Sequence, residues 1–332
     1  MDGGDKMDTY EICMLGPSHS GKTTLLASMI RDFENITDSI YKKNKRRWEL
    51  RAKGTTYART EDCINVLETG IRNGEFASEC LPGTSTHDTY ELEIKYNSIL
   101  DQWFSPDIGL QFHDFPGGWI NDPKRMEAVN FNKAEIFLLP VDATLLMEPI
   151  SASERVAAAR QLSIHQISNV VKRWAETRRD DNQRGLFIIA PLKCETYFPP
   201  KTSILEDKSQ ELFKRIRSED YFGQMIEYLK ETCPQIERCY MPIDTVGCCF
   251  ITRKNWKDDK QGKLLEVTYR VPTGKQWSPY GPARIMFKIL HHVALQSDGW
   301  LSKTCGCTLK SKIEDLENRI PHEYEYNRGK TF

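Results

Sequence analysis

The sequence predicts a three-layer α/β fold, a mostly parallel sheet with helices on both faces, and three observations carry that prediction. Short apolar runs suited to buried strands alternate with longer stretches of helical periodicity. The first run, Tyr10 to Leu15, leads directly into a glycine loop and then an amphipathic segment. After Val246 the alternation stops, and a hairpin-plus-helix pattern replaces it.

Taken in order, Tyr10 to Leu15 is the first strand, and Leu25, Leu26, Met29, Ile30 and Phe33 lie on one face of the helix behind the loop. Residues 35–80 read as a helical insertion. The basic run Lys42 to Arg47, ending at Trp48, is expected there as a solvated loop face. Thr60 to Arg72 follows as a helix, with Thr60 as N-cap and Gly74 as its stop. From Thr89 to Tyr96 the chain alternates: Tyr90, Leu92, Ile94 and Tyr96 on one side, Glu91, Glu93 and Lys95 on the other. Such a strand has one wet face and is expected at a sheet edge, running antiparallel.

Ile108 to Phe115 and Glu135 to Val141 are the next two strands. Ser151 and Glu154 stand at capping-box spacing ahead of one long helix reaching about Thr177. Its stripe of Val156, Leu162, His165, Val170 and Trp174 is expected in the core. Leu186 to Leu192 and Cys239 to Ile243 are the fifth and sixth strands, with helices around 203–216 and 219–232 between them. Phe250 to Trp256 and Leu264 to Val271 pair as a hairpin. Ala283 to Leu295 closes the fold with Ile285, Met286, Ile289, Leu290 and Val293 inward. The expected organisation is one domain over residues 1–299, with 35–80 inserted before the second strand, 248–299 as hairpin and helix, and a polar tail at 300–332.

With 332 residues, 28% charged and 39% hydrophobic, the chain has the apolar content for a sizeable core, which excludes wholesale disorder. A net charge of −1 provides no overall field to attract nucleic acid or an anionic membrane, so neither partner is expected. Met1 to Leu15 lacks the basic and apolar regions of a secretory signal, and no stretch approaches the ~18 apolar residues of a spanning helix. The ten cysteines show no disulfide framework, which fits reduced thiols and a cytoplasmic location. Neither Cys248-Cys249 nor Cys305-Gly306-Cys307 has zinc-knuckle spacing.

Gly16-Pro17-Ser18-His19-Ser20-Gly21-Lys22-Thr23 fits G-x-x-x-x-G-K-[ST] between a strand and a helix. Backbone N–H groups from Ser18 to Thr24 must turn inward to cradle phosphate oxygens, which the permissive dihedrals of Gly16 and Gly21 allow. The helix N-terminus adds positive potential. Lys22 is placed to bridge β- and γ-phosphates, and the Thr23 hydroxyl to ligate Mg²⁺. A second motif, Asp114-Phe115-Pro116-Gly117, ends a strand. Its Asp114 suits water-mediated Mg²⁺ binding, and the Gly117 N–H suits approach to a γ-phosphate, making the segment a sensor of the third phosphate.

The two motifs and the strand order together resemble the TRAFAC class of GTPases over roughly Tyr10 to Gly247. The Gly-Pro-x-x-Ser-Gly-Lys-Thr-Thr-Leu-Leu run and the long insertion are most similar to bacterial double-GTPase domains of conflict and defence systems. The resemblance implies a switch-one threonine that ligates Mg²⁺; Thr84 is the choice, with Thr86 in the same loop. It implies a guanine-reading element after the fifth strand, where Leu192-Lys193-Cys194-Glu195 stands: Lys193 under the base, Glu195 as acceptor for guanine N–H groups, and Leu192 without the usual amide. It also implies base contacts from the loop Asp244-Thr245-Val246-Gly247, chiefly Thr245 and Val246. GTP or GDP with Mg²⁺ is the implied ligand, and a protein effector or activator meeting Leu81–Thr89 and Gly117–Arg125 the implied partner.

The water-orienting glutamine of Ras-like proteins is replaced by Gly118, which implies slow or partner-stimulated hydrolysis. His19 in the loop, or an insertion arginine (Arg51, Arg59 or Arg72), are alternatives for assisting the chemistry. Two other readings stay open from sequence: a P-loop ATPase or kinase, and a nucleotide-binding adaptor without catalysis.

Overall fold

A computed structural model describes residues 8–44, 47–77, 87–97, 107–122, 124–125, 131–198, 206–259, 262–296, 311–314 and 330–332. The first strand, β1 (Asp8–Met14), is the middle of an eight-stranded sheet and hands the chain to the glycine loop. Behind the loop, α1 (Lys22–Asn44) buries Leu25, Leu26, Met29, Ile30, Phe33, Ile36 and Ile40, the three-and-four spacing of one helical face. β2 (Arg47–Ala52) then pairs antiparallel with a later strand. α2 (Thr55–Asn73) ends at Gly74, whose φ of 79° is the left-handed stop that glycine adopts without strain. A short β3 (Glu75–Ala77) follows.

β4 (Asp88–Asn97) and β5 (Asp107–Asp114) run antiparallel to each other, and β5 lies parallel to β1. On the other side of β1 lie β6 (Ile136–Asp142), β7 (Gly185–Leu192) and β8 (Ile236–Tyr240), all parallel. Connecting helices are α3 (Ala143–Met147), α4 (Ala152–Gln161), α5 (Ile164–Asp180), α6 (Ser209–Ile216) and α7 (Gly223–Thr232). The C-terminal part adds the hairpin β9 (Phe250–Asp259) and β10 (Gly262–Arg270), then α8 (Pro282–Gln296) and β11 (Lys330–Thr331).

The sheet order is β11-β8-β7-β6-β1-β5-β4-β2. Strand alternation sorts β1 into two cores: Ile12 and Met14 face α1 and α8, while Cys13 joins the cluster that contains Trp174 of α5 and Leu229 of α7. A mostly parallel sheet covered on both faces is therefore the fold. The connections leaving the neighbouring strands β1 and β6 run to opposite faces of the sheet, and the carboxyl ends of β1, β5, β6 and β7 share one rim. Such a rim is where open α/β sheets hold ligands. Among the described residues no helix is long and apolar enough to cross a membrane.

Several expectations need correction. The 35–80 insertion is not purely helical, since it contributes β2 and β3. β2, not β4, is the outer strand on that side. Trp48 is buried and packs edge-on against Tyr96, at 5.1 Å between centroids, so alternate residues of β2 point into the core. Of the basic run, residues 42–44 end α1 and Arg47 opens β2, so its described residues belong to helix and strand. Thr60 lies inside α2, with its hydroxyl donating to the Thr56 carbonyl at 2.9 Å.

Ser151 and Glu154 do form a capping box, but the helix they start is broken. Ser163, with φ of 50°, separates α4 from α5 and rotates their faces relative to each other. Val156 is accordingly 72% exposed and His165 is also exposed, whereas Leu162, Val170 and Trp174 are buried.

The hairpin pairs as expected and takes β3 as its third strand. Tyr269 stacks on Phe76 at 5.5 Å, and Val271 N donates to Gly74 O at 2.8 Å. Asp32 of α1 accepts from Ala283 N at 2.9 Å, which caps α8 and clamps it along α1.

Candidate nucleotide site

The dihedral pattern of the loop after β1 agrees with expectation at Gly21, which takes a positive φ of 89°, but not at Gly16, whose φ is not positive; the second left-handed residue is His19, at 62°. The helix begins with Leu25 N donating to Gly21 O at 2.8 Å. Gly16 is required by close approach: a Cβ there would lie 2.8 Å from Ser20 Oγ and 3.1 Å from Pro140 O. Lys22 folds back across the loop, with Nζ donating to Gly16 O at 3.1 Å and Pro17 O at 3.3 Å. This places the ammonium beneath the loop's concavity. Ser20 Oγ is buried without a hydrogen-bond partner among the described residues. Ser18 and His19 are exposed at the loop tip, and Thr24 is half-buried on the first helical turn.

The end of β5 meets this loop directly. Asp114 is fully buried, and its Oδ1 lies 3.7 Å from Lys22 Nζ. Burial pushes the Lys22 ammonium below its usual range, and the Asp114 carboxylate opposes that shift. Thr23 and Tyr90 are hydrogen-bonded through their side chains. Burial first, and the Asp114 charge second, push the Tyr90 phenol up to about 12. The strand pattern marked Tyr90 as a core residue, and nothing local told that its hydroxyl would meet Thr23.

Gly117 sits on the loop itself. A Cβ at Gly117 would lie 1.9 Å from Ser18 N and 2.4 Å from the Pro17 carbonyl carbon. The Asp-x-x-Gly segment therefore presses on the amide that should receive a phosphate oxygen. Gly118 has open space where a side chain would stand.

The oxygen donors of Thr23 and Asp114 are of the hard type that Mg²⁺ takes, and the neighbouring Lys22 completes a charge-neutralising set for a polyphosphate. Thr84 and Thr86 lie outside the described residues. Of the three insertion arginines, Arg59 is the one close to this end: it pairs with Asp88 at 2.9 Å and lies 5.8 Å over the Tyr90 ring. Arg51 pairs with Glu49, and Arg72 bonds the Glu68 carbonyl within α2. His113 stacks on Phe115 and His87, away from the loop, as strand alternation requires.

The rim at β7 and β8 is differently built, and it corrects the roles expected there. Lys193 takes a left-handed φ of 62°, and its Nζ bonds Asp142 Oδ2 at 2.5 Å instead of lying free beneath a base. Asp142 Oδ1 meanwhile accepts from Thr144 N and Oγ1 at 2.9 and 2.6 Å. Glu195 does not face outward. Its Oε1 accepts from Val246 N at 2.5 Å and Gly247 N at 3.3 Å, and its Oε2 is buried with no hydrogen-bond partner among the described residues. Burial raises its carboxyl above the usual range, opposed by those amides. Thr245 Oγ1 accepts from Lys193 N at 3.0 Å, which welds the two loops together.

A cleft of about 830 Å³ opens from Ser18, His19, Gly117 and Gly118 across Asp142 and Lys193 towards α5 and β10. It is of the size that small-molecule sites occupy. Cys249, beside the Gly247 turn, is buried, and burial pushes its thiol far up; Cys248 is half-buried.

No protein-family model matches this chain, and no curated protein matches it. Among solved structures it is similar to the S. cerevisiae Ski7 GTPase-like domain bound to GDP and inorganic phosphate, at 13% identity and a TM-score of 0.39, over 90% of this chain and 52% of that one. It is also similar to the GTP-bound form of that domain, at 15% identity and a TM-score of 0.33, over 71% and 42%. The chain thus spans about half the length of the solved chains it matches.

Proposed function

We propose that this chain is a Mg²⁺-dependent nucleoside-triphosphate switch that hydrolyses its nucleotide slowly or on stimulation by a partner. The contact of Gly117 with Pro17 and Ser18 carries the reading. A third phosphate on the Ser18 amide needs the space that the Gly117 backbone now fills, so triphosphate binding must displace the segment from Gly117 to Arg125. That displacement is the signal a protein effector or activator would read, together with the loop of Leu81–Thr89.

Lys22 holds the β- and γ-phosphates, the amides from Ser18 to Thr24 cradle them, and Thr23 and Asp114, with Thr84, would hold Mg²⁺. When bound, that ion neutralises charge on the phosphate oxygens. To be ligands, Thr23 must release Tyr90 and Asp114 must share Lys22 with phosphate. Hydrolysis adds water to the γ-phosphorus and breaks its bond to the bridging oxygen, releasing nucleoside diphosphate and inorganic phosphate. Gly118 offers no side chain to orient that water, which keeps the unassisted rate low. Arg59, anchored by Asp88 and Tyr90, is the insertion arginine best placed to approach the transferring group.

Guanine remains the base that the resemblance implies, and a defence role rests on the same resemblance. Mass spectrometry of the nucleotide that copurifies with the protein tests the reading. A bound di- or triphosphate supports it; a protein that copurifies with none and binds none on titration with Mg²⁺ present overturns it. The open space at Gly118 favours one rival, a nucleotide-holding adaptor. Single-turnover assays that show no hydrolysis with or without partner would select it.

A further inference from the structure

A site selects one base over another by keeping edge-reading groups unpaired until the right base arrives. The wrong base then leaves them buried and unsatisfied, and that penalty is the source of high discrimination. At the base end of this rim the Val246 and Gly247 amides, Thr245 and Lys193 already have partners within the chain, and Glu195 Oε2 is the exception among the described residues. The Val246 and Gly247 amides are taken by Glu195 Oε1. The Thr245 carbonyl accepts from Ser28 Oγ and Trp277 Nε1, both at 3.1 Å, and its hydroxyl accepts from Lys193 N. Lys193 Nζ is bound to Asp142. Leu192, fully buried, brings only methyl groups, one of them against Gly21. Glu195 Oε2 is enclosed and not presented to a ligand.

We infer that this chain takes nucleoside triphosphates without selecting the base, and that Glu195 is the residue that removes the selection. The inference rests on the reading of residues 16–24 as a triphosphate site. Reach is the physical cause. An aspartate at 195 would be shorter by one methylene, about 1.5 Å, and would fall short of the Val246 amide. That amide would then face the ligand, with a carboxylate beside it to accept from a purine N–H. The longer glutamate bends back and satisfies the amide itself. Of the polar side chains along the cleft, Gln166 and Asn169 are exposed amides that donate and accept alike, and the exposed carboxylates of Glu219 and Asp220 accept from the amine of adenine or cytosine as well as from guanine N–H groups, so none rewards one particular base. Binding strength therefore comes from the phosphates, through Lys22 and the loop amides.

Competition binding tests this on the full chain, freed of nucleotide and supplied with Mg²⁺. A fluorescent GTP analogue is displaced by GTP, ATP, ITP, CTP or inorganic tripolyphosphate. The expected result is displacement by all, with GTP and ATP within about tenfold of each other, which is about 1.4 kcal/mol. A GTP preference of about tenfold or more overturns base indifference while leaving the phosphate loop intact. Failure of every nucleotide and of tripolyphosphate to bind overturns the triphosphate reading itself, and the inference with it.

Glu195→Asp is expected to raise the GTP-to-ATP ratio by about tenfold or more with little change in tripolyphosphate binding. An unchanged ratio in a folded Glu195→Asp protein removes the assignment to Glu195. Should that variant fail to fold, Glu195→Gln serves: it keeps the reach and the accepting oxygen, so the wild-type ratio is expected, and a gain in guanine preference would overturn the role given to side-chain length.

Discussion

The two ends of the rim are made of similar parts and treated differently by the chain. At the proposed phosphate end, Lys22 Nζ bonds the Gly16 and Pro17 carbonyls, and Gly117 stands so close that a Cβ on it would meet Ser18 N at 1.9 Å. At the base end, the Val246 and Gly247 amides are taken by Glu195 Oε1 and the lysine by Asp142, while Glu195 Oε2 stays enclosed. The first arrangement leaves binding energy available to a ligand, and the second has used it in folding. A motif can thus keep its place in the fold after its groups have found partners at home.

The sharpest break in this comparison is Lys22→Ala. Removing a buried cation that pairs with a charged ligand costs roughly 2–5 kcal/mol, so triphosphate affinity should fall by about a thousandfold, as read by titration with a fluorescent nucleotide. Unchanged affinity would show that the loop does not hold phosphate.

Next in size is the seam that joins the two ends, where α8 lies along α1. Burial raises the Asp32 carboxyl to about 6 and lowers His292 to about 4. The raised acid contributes stability below its unfolded value and loses it as pH rises to about 6. The depressed histidine contributes stability above 6.5 and loses it as pH falls to about 4. The two effects, on the order of 3 kcal/mol each, oppose one another between pH 4 and 6. Asp32→Asn should therefore unmask the histidine, so that stability falls more steeply on acidification from pH 6.5 to 4 than in the wild type. Urea denaturation at several pH values measures it; parallel curves for the two proteins would refute it.

A smaller effect is expected of Gly117→Ala. Overpacking against Ser18 costs about 1–3 kcal/mol, borne by the shut state, so the segment should move out without nucleotide. Trp119 reports this: Arg125 lies over its ring at 5.6 Å, and its emission should shift in the variant without nucleotide, and in the wild type on addition of triphosphate. Identical spectra would mean that Gly117 is not the element displaced. The mildest change is Glu195→Gln, with stability within about 1 kcal/mol of wild type because the accepting oxygen stays, against a loss of about 2 kcal/mol for Glu195→Ala, which leaves Val246 N unpaired. Thermal melts of the two would rank them, and equal melting temperatures would deny that the carboxylate holds that amide.

The strand–loop–helix at residues 8–44 was legible from local spacing, since glycines at 16 and 21, a lysine at 22 and a helical apolar stripe lie within one short stretch. The fold was legible for the same reason wherever a strand or helix carries its own periodicity. The base end was not. Glu195 meets Val246, and Lys193 meets Asp142, each across 51 residues. Side chains that pair between loops leave no periodic trace. β2 was missed although Trp48, Leu50 and Ala52 alternate with Arg47, Glu49 and Arg51, because the strand is only six residues long and opens on the last residue of the basic run. The α4–α5 break was missed because Ser163 is not a residue whose identity demands a left-handed backbone. Arg59 separates itself from Arg51 and Arg72 once Asp88 and Tyr90 are in place beside it.

The far side of the sheet has its own consequence. Lys330 and Thr331 pair with Tyr240 and Cys239, and Phe332 lies against Phe213 and Tyr240. These few residues act as a seal on a strand that would otherwise offer its backbone to any neighbour. Cleavage just ahead of them, or an appendage that pries them off, would bare a ready template for strand addition together with two aromatic faces. Loss of a few residues there should then show itself as self-association that grows with concentration, long before it shows as unfolding.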